Sequence, residues 1–214
     1  MTRQVRPARG SHGAVLAQTR ALAEHRGELV AQLRAEIGLP ARPNGRPALV
    51  ILMGFPGVGK THCARLLAAR IGAAHVATDQ LRSRLFIAAS YAAEENRAVF
   101  TLAETLVDDL LAQGHVVVLD ATNLIASNRA PMESVASRRG AALLHVLVVA
   151  DDAEARARLA ARAVARSEDD HSDADVGVYE RMRERGFEAP ERFVELRNGA
   201  DLTSEIERVA AALS

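Results

Sequence analysis

Apolar and polar residues follow two periods along this chain. The run Ala48-Leu49-Val50-Ile51-Leu52-Met53 is apolar without interruption, as in a strand buried on both faces. Shorter runs at 74–78, 115–119, 142–149 and 193–196 read as further strands. Between them, apolar residues recur every three to four positions. This spacing predicts helices over 60–71, 80–87, 94–113, 127–138, 151–165, 175–185 and 202–213. Strands alternating with helices predict an α/β fold, a parallel sheet covered by helices on both faces. Ligands in such sheets sit beyond the carboxyl ends of the strands.

Upstream of residue 48 the pattern changes. Residues 1–11 read as a loose basic tail. Residues 13–37 read as an amphipathic helix, with Val15, Leu22 and Leu29 on one seam and Leu16, Val30, Leu33 and Ile37 beside it. Residues 38–47 are rich in Pro and Gly and read as a linker. The expected division is an extension over 1–47 and a main domain over 48–214. The helix is expected to pack on the domain surface; a subunit contact is the alternative, and the oligomeric state stays open.

The first strand runs into Gly54-Phe55-Pro56-Gly57-Val58-Gly59-Lys60-Thr61, which matches the phosphate-binding P-loop pattern G-x-x-x-x-G-K-[ST]. Its glycines let successive backbone N–H groups turn inward, at the positive end of the following helix. That helix is expected to carry Cys63, Leu66, Leu67 and Ile71 at core spacing and to stop at Gly72. Of 27 Lys plus Arg residues, Lys60 is the single lysine. A compact ammonium can slip along a phosphate chain where a planar guanidinium cannot. Lys60 is expected to reach the β- and γ-phosphates of ATP and Thr61 to ligate Mg²⁺, with His62 beside them at the nucleotide. A chance lysine in a glycine-rich turn is the plainer alternative, but the strand before it and the helix after it argue against that.

Two polar clusters follow the next two strands. Asp79 and Arg82 lie one helical turn apart. Asp79 is a candidate general base for a hydroxyl attacking the γ-phosphorus, or simply a helix N-cap. Arg82 could grip an acceptor phosphate or orient Asp79. Val116-Val117-Val118-Leu119 then leads into Asp120-Ala121-Thr122-Asn123, four apolar residues and a carboxylate, expected to hold Mg²⁺ through Asp120. Thr122 and Asn123 add polar groups for metal or acceptor, unless the segment is merely a turn. Farther on, Arg158, Arg162 and Arg166 precede an acidic stretch from Ser167 to Asp175. A lid over about 158–180 is expected, delivering Arg162, and less firmly Arg158, to the phosphates. Arg84 and Arg156 are read as solvated, and a Glu154–Arg158 pair on a solvated helix is the plainer reading of that segment.

Composition narrows the class. Formal net charge is zero, so no global field draws in nucleic acid or a membrane. Aromatic residues make up 3%, few platforms for stacked bases. One cysteine, Cys63, excludes an internal disulfide framework and fits a reducing cytoplasm. No apolar stretch reaches the length of a membrane span. A GTPase base-reading motif would need a second lysine. A mechanical ATPase usually places Glu after the metal-binding Asp, where this chain has Ala121.

The succession of P-loop, Asp-x-x-Arg, apolar-Asp-Ala-Thr-Asn and Arg-x-x-x-Arg, with Ser172-Asp173-Ala174 downstream, resembles P-loop kinases related to the 5′-hydroxyl polynucleotide kinase module. This is an AAA-type ATP-binding kinase group with zeta-toxin-like, chloramphenicol-phosphotransferase-like and gluconate-kinase-like cousins. The resemblance implies a five-stranded parallel sheet of order 2-3-1-4-5, a helical lid and an ATP:Mg²⁺ donor. It implies Asp79 as base, Arg82 as acceptor-phosphate ligand, Arg162 as transition-state arginine and Asn198 near the adenine. The expected activity is phosphoryl transfer to a hydroxyl. The acceptor is a polynucleotide 5′-hydroxyl or a small molecule such as a sugar, nucleoside or antibiotic. A nucleotide-sensing switch without an acceptor is the remaining alternative.

Overall fold

The computed structural model describes residues 26–37, 39, 45–86, 92–164 and 176–213. Five strands form one parallel sheet: β1 (Ala48–Met53), β2 (Ala74–Ala77), β3 (Val116–Asp120), β4 (Ala142–Val149) and β5 (Val194–Arg197), in the order β2-β3-β1-β4-β5. Eight helices accompany them among the described residues: α1 (Arg26–Glu36), α2 (Lys60–Ile71), α3 (Thr78–Leu85), α4 (Ala93–Ala112), α5 (Ala126–Arg138), α6 (Asp152–Val164), α7 (Val176–Arg185) and α8 (Leu202–Ala211). The α/β class, the parallel sheet and its strand order agree with the expectation from sequence.

Successive side chains of a strand point to opposite faces, and β1 is buried on both. Leu49, Ile51 and Met53 belong to one core layer, together with α1, α3, α4 and α5. Ala48, Val50 and Leu52 belong to the other, with α2, α6, α7 and α8. This is why the strand carries no polar residue. In α2 the buried stripe is Cys63, Ala64, Leu67 and Ala68. Leu66, expected in that stripe, is 40% exposed, because the sheet meets a narrower arc of the helix than its apolar residues span.

Register decides what meets at the carboxyl edge. Leu52 of β1 and Ala77 of β2 both pair with Asp120 of β3. Three chain segments therefore leave the sheet side by side: the P-loop, the start of α3, and the loop after Asp120. Two local boundaries differ from the sequence reading. Asp120 is the last residue of β3 rather than the first beyond it. Helix α3 begins at Thr78 behind an N-cap at Ala77, so Asp79 is a first-turn residue and not the cap.

The described part of the N-terminal helix, α1, packs on the domain. Val30 and Leu33 enter the first core layer, Arg34 pairs with Asp109 at 3.1 Å, and Arg84 pairs with Glu36 at 3.2 Å. Residues 13–25, most of the linker and the centre of the expected lid lie outside the described residues.

Leu106 is fully buried in α4, while Leu66 is substantially exposed on α2. Leu106→Ala is expected to lower unfolding free energy by about 2–5 kcal/mol. Leu66→Ala should change it by less than about 0.5 kcal/mol. Equilibrium urea denaturation of the two variants checks the contrast.

Candidate active site

Residues 54–59 turn sharply between β1 and α2, and the turn is braced from outside. Gly57 and Gly59 have φ of 82° and 87°, in the left-handed region that favours glycine. Space excludes a larger residue as well: a Cβ on Gly57 would lie 2.6 Å from the Ala155 carbonyl oxygen, and one on Gly59 would strike the Asn198 amide. The Asn198 amide nitrogen donates to the Val58 carbonyl at 2.8 Å, and its backbone N–H donates to Val149 at 2.8 Å. Arg158 donates to the Gly57 carbonyl at 3.4 Å and to Glu154 at 2.7 Å. Asn198 and Arg158, both expected at the nucleotide, do not line the cleft described below. Their polar atoms hold the backbone of the loop instead.

Phe55 makes a third brace. Its ring meets Tyr179 of α7 edge-on, with centroids 6.0 Å apart, and the Arg183 guanidinium lies 5.6 Å from its centroid. The Tyr179 hydroxyl donates to Asp152 at the start of α6. Arg156, read as solvated, pairs with Asp152 and Glu180, both at 2.8 Å.

Inside the loop, the Lys60 ammonium donates to the Phe55 carbonyl at 3.0 Å. Burial of the ammonium holds its pKa below the ordinary 10.5. The carboxylates of Asp120 and Asp79 oppose that shift, and the guanidinium of Arg162 reinforces it. These four charged groups therefore share one electrostatic neighbourhood. Cys63, on the core face of α2, has its thiol pushed up to about 11, chiefly by burial.

At the edge of β3, Asp120 is 5% exposed, with Oδ2 3.3 Å from His75 Nε2 on β2. Asn123 has a different task from the metal or acceptor role expected of it. Fully buried, with φ of 47°, it donates to the Leu52 carbonyl at 2.9 Å. Its own carbonyl accepts from the buried Arg129 at 2.9 Å, and Arg129 also donates to the Glu188 carbonyl at 2.7 Å. The Gly54 N–H donates to the Thr122 carbonyl at 3.1 Å. The loop after β3 is thus tied to the first residue of the P-loop, and Asn123 is a strut.

Arg82 borders the cleft, but its guanidinium already has partners. It meets Glu95 of α4 at 2.5 Å and the Asn96 side-chain oxygen at 2.7 Å. Arg82 is 4% exposed and Glu95 is fully buried. Moving the Arg82 guanidinium outward to an acceptor phosphate, the role expected from sequence, would strip a buried carboxylate of its partner, which is strongly unfavourable. The pair instead fastens α3 to α4.

All these elements surround a cleft of about 1000 Å³. From the P-loop side it is lined by Pro56, Gly57, Gly59, Lys60, Thr61 and His62. Asp79, Asp120 and Arg162 join them from α3, β3 and α6. Of the P-loop residues expected at the nucleotide, Gly54, Phe55 and Val58 do not line it. Arg65, His75, Arg97, Phe100 and Arg185 do line it and were not anticipated. The polar run Glu94-Glu95-Asn96-Arg97 at the start of α4 was a signal for Arg97; Phe100 and Arg185 had none. Arg166 and the acidic stretch 167–175 lie outside the described residues.

The Thr61 hydroxyl and the Asp120 carboxylate both line this cleft and are the oxygen donors that a hard divalent cation takes. Among the described residues no group of three or more His, Cys, Asp or Glu side chains could hold a metal ion. A Mg²⁺ here would therefore depend on phosphate oxygens for the rest of its shell. Among the described residues no helix is long and apolar enough to cross a membrane.

No curated protein matches the sequence. Solved structures of the same fold include the APS kinase CysC of Mycobacterium tuberculosis in complex with AMPPNP and APS. It is 21% identical, covers 78% of this chain and 98% of its own, and has a TM-score of 0.58. Kti12 of Chaetomium thermophilum in complex with ADP-AlF3 is 21% identical over 77% of this chain and 96% of its own, with a TM-score of 0.63. A gluconokinase of Sinorhizobium meliloti 1021 is 17% identical over 78% and 91%, with a TM-score of 0.55. At these identities the likeness is one of fold. The AAA domain family matches residues 49–190, which spans the P-loop, the Asp79 and Asp120 segments and α6 and α7. This chain belongs to that AAA domain family, and it shares the fold of these solved structures.

Proposed function

We propose that this protein is an ATP-dependent kinase that transfers the γ-phosphoryl group to an acceptor hydroxyl. The observation that carries the proposal is the convergence of Lys60, Asp79, Asp120 and Arg162 on one cleft at the carboxyl edge of β1, β2 and β3. Support comes from relatives of the same fold. One is an APS kinase holding AMPPNP and APS, and another is a gluconokinase.

In this reading the P-loop amides and Lys60 hold the β- and γ-phosphates of ATP. Thr61 and Asp120 would hold Mg²⁺, which supplies neutralisation of charge on the phosphate oxygens. Asp79 accepts the acceptor hydroxyl proton as that oxygen bonds to the γ-phosphorus. The bond from the γ-phosphorus to the bridging oxygen breaks, and ADP leaves with the electron pair. Arg162, from the last turn of α6, meets the charge spread over the transferred group. Arg82 acts at one remove, because its pair with Glu95 fixes the helix that carries Asp79.

A small acceptor suits the cleft better than a polynucleotide. Its volume is that of a small-molecule site. Phe100 supplies the one phenyl ring among the described lining residues, and the chain has no net charge to attract a polyanion. A polynucleotide 5′-hydroxyl is the competing acceptor, and its binding would weaken steeply with added salt. A switch without an acceptor would bind ATP and release no phosphorylated product.

The buried ammonium sets a stability test. Because its folded pKa lies below 10.5, the unfolded chain takes up the proton first as pH falls. The nucleotide-free protein is therefore destabilised below that value and relieved of the penalty above it. Lys60→Met should raise the nucleotide-free Tm at pH 7 by about 2–4 °C. That advantage should shrink as pH approaches 10.5. The same variant should lose the thermal shift that ATP produces in the wild type, and a retained shift would remove Lys60 from the donor site.

Asp79→Asn should keep the ATP-induced thermal shift and lower the transfer rate by about 10²–10⁴-fold. Transfer of label from γ-labelled ATP to a panel of sugar, nucleoside, aminoglycoside and 5′-hydroxyl oligonucleotide acceptors measures it. Turnover at the wild-type rate would remove the base assignment.

A further inference from the structure

Many arginines of the described surface face a carboxylate. Arg70 meets Glu207 at 2.6 Å, Arg139 meets Asp108 at 2.5 Å, and Arg84 meets Glu36 at 3.2 Å. Arg97, in the second turn of α4, and Arg185, the last residue of α7, break that habit. Both are exposed and both line the cleft, and neither has an ion-pair partner among the described residues.

The cleft has a local excess of positive charge in a chain that has none overall. Its cationic lining residues are Lys60, Arg65, Arg82, Arg97, Arg162 and Arg185, against the carboxylates Asp79, Glu104 and Asp120. Arg82 is balanced from behind by Glu95. Lys60, Arg65 and Arg162 lie on the elements that flank the P-loop, α2 and α6. Arg97 and Arg185 remain, on α4 and α7, with no donor phosphate assigned to them. Phe100, Met132 and Met182 add apolar surface from the same helices and from α5. A guanidinium is a planar fork that matches an oxyanion with two parallel hydrogen bonds.

We propose that the acceptor is a small hydroxyl compound carrying an oxyanion group, a phosphate, sulfate or carboxylate, and that Arg97 and Arg185 hold that group. The inference rests on the kinase reading above. It moves the anion-binding task away from Arg82, whose guanidinium is engaged in the buried pair, to two arginines that no motif marks. It also accounts for the cationic lining contributed by α4 and α7, helices that carry no P-loop residue.

The test is calorimetric binding to protein saturated with AMPPNP and Mg²⁺, so that the P-loop is filled before any probe is added. The probes are matched pairs: ribose and ribose 5-phosphate, glucose and gluconate, uridine and uridine 3′-monophosphate. In at least one pair the anionic member should bind roughly tenfold or more tightly than its neutral partner, the worth of one charge-assisted contact. The double variant Arg97→Met/Arg185→Met should lose that preference and keep the AMPPNP thermal shift. The double variant Arg82→Met/Glu95→Met, which removes both charges of the buried pair, should keep the preference.

Equal binding within every pair, absence of binding included, overturns the proposal. So does a preference that survives Arg97→Met/Arg185→Met, or one that is lost with Arg82→Met/Glu95→Met alone. A 5′-hydroxyl oligonucleotide that binds more tightly than every small anion, with steep salt dependence, overturns the small-acceptor class. Failure of AMPPNP to shift the wild-type Tm is read before any probe is added, and it removes the kinase reading and this proposal together.

Discussion

The parallel register of β1, β3 and β2 is the constraint on which the site depends. Because Leu52 and Ala77 both lie opposite Asp120, the P-loop, the Asp120 carboxylate and the first turn of α3 emerge at one level. A slip of one residue in either ladder would turn the Asp120 side chain to the other face of the sheet. It would also carry Leu119 out of the core layer it shares with Ile51 and Val76. The two-sided burial of the central strands therefore holds the register, and the register sets the spacing of the charged groups. Stability and site geometry are, in this sense, one property of the sheet.

Around that frame, much of the polar chemistry near the P-loop is structural. Asn198 and Arg158 hold its carbonyls from outside, Asn123 ties the end of β1 to the loop after β3, and Phe55 leans on Tyr179. A loop whose N–H groups must converge on an anion cannot use its own backbone pairing for rigidity, so side chains from four other elements supply it. Arg82 and Glu95 do the same for α3. A charged residue beside a phosphate site can thus be occupied entirely with holding the site's shape.

Family membership and chemistry need separate arguments here. The family is named for an AAA domain, yet Ala121 stands where a water-activating Glu follows the metal-binding Asp in mechanical ATPases. The cleft also extends along α4, α5 and α7, surface that the proposed acceptor would use and ATP hydrolysis would not. Both features favour transfer to a hydroxyl over transfer to water.

What the sequence determined by itself was everything encoded by local spacing. The P-loop reads from its glycines and its single lysine. The central strand reads from six apolar residues without a break, and the seven described helices from residue 60 onward read from their repeats to within two residues of their ends. These are short-range signals, because strand pleat and helix pitch act over a few positions. Tertiary structure alone decided which polar side chains face the cleft. Arg82 and Arg97 both follow the Asp79 segment, yet one is buried against Glu95 and the other lines the cleft with no ion-pair partner among the described residues. Asn123 and Asn198 looked like ligand residues and turned out to be braces. Each of these outcomes depends on a carboxylate or carbonyl brought in from a distant part of the chain by packing, and no periodicity along the chain records such a meeting.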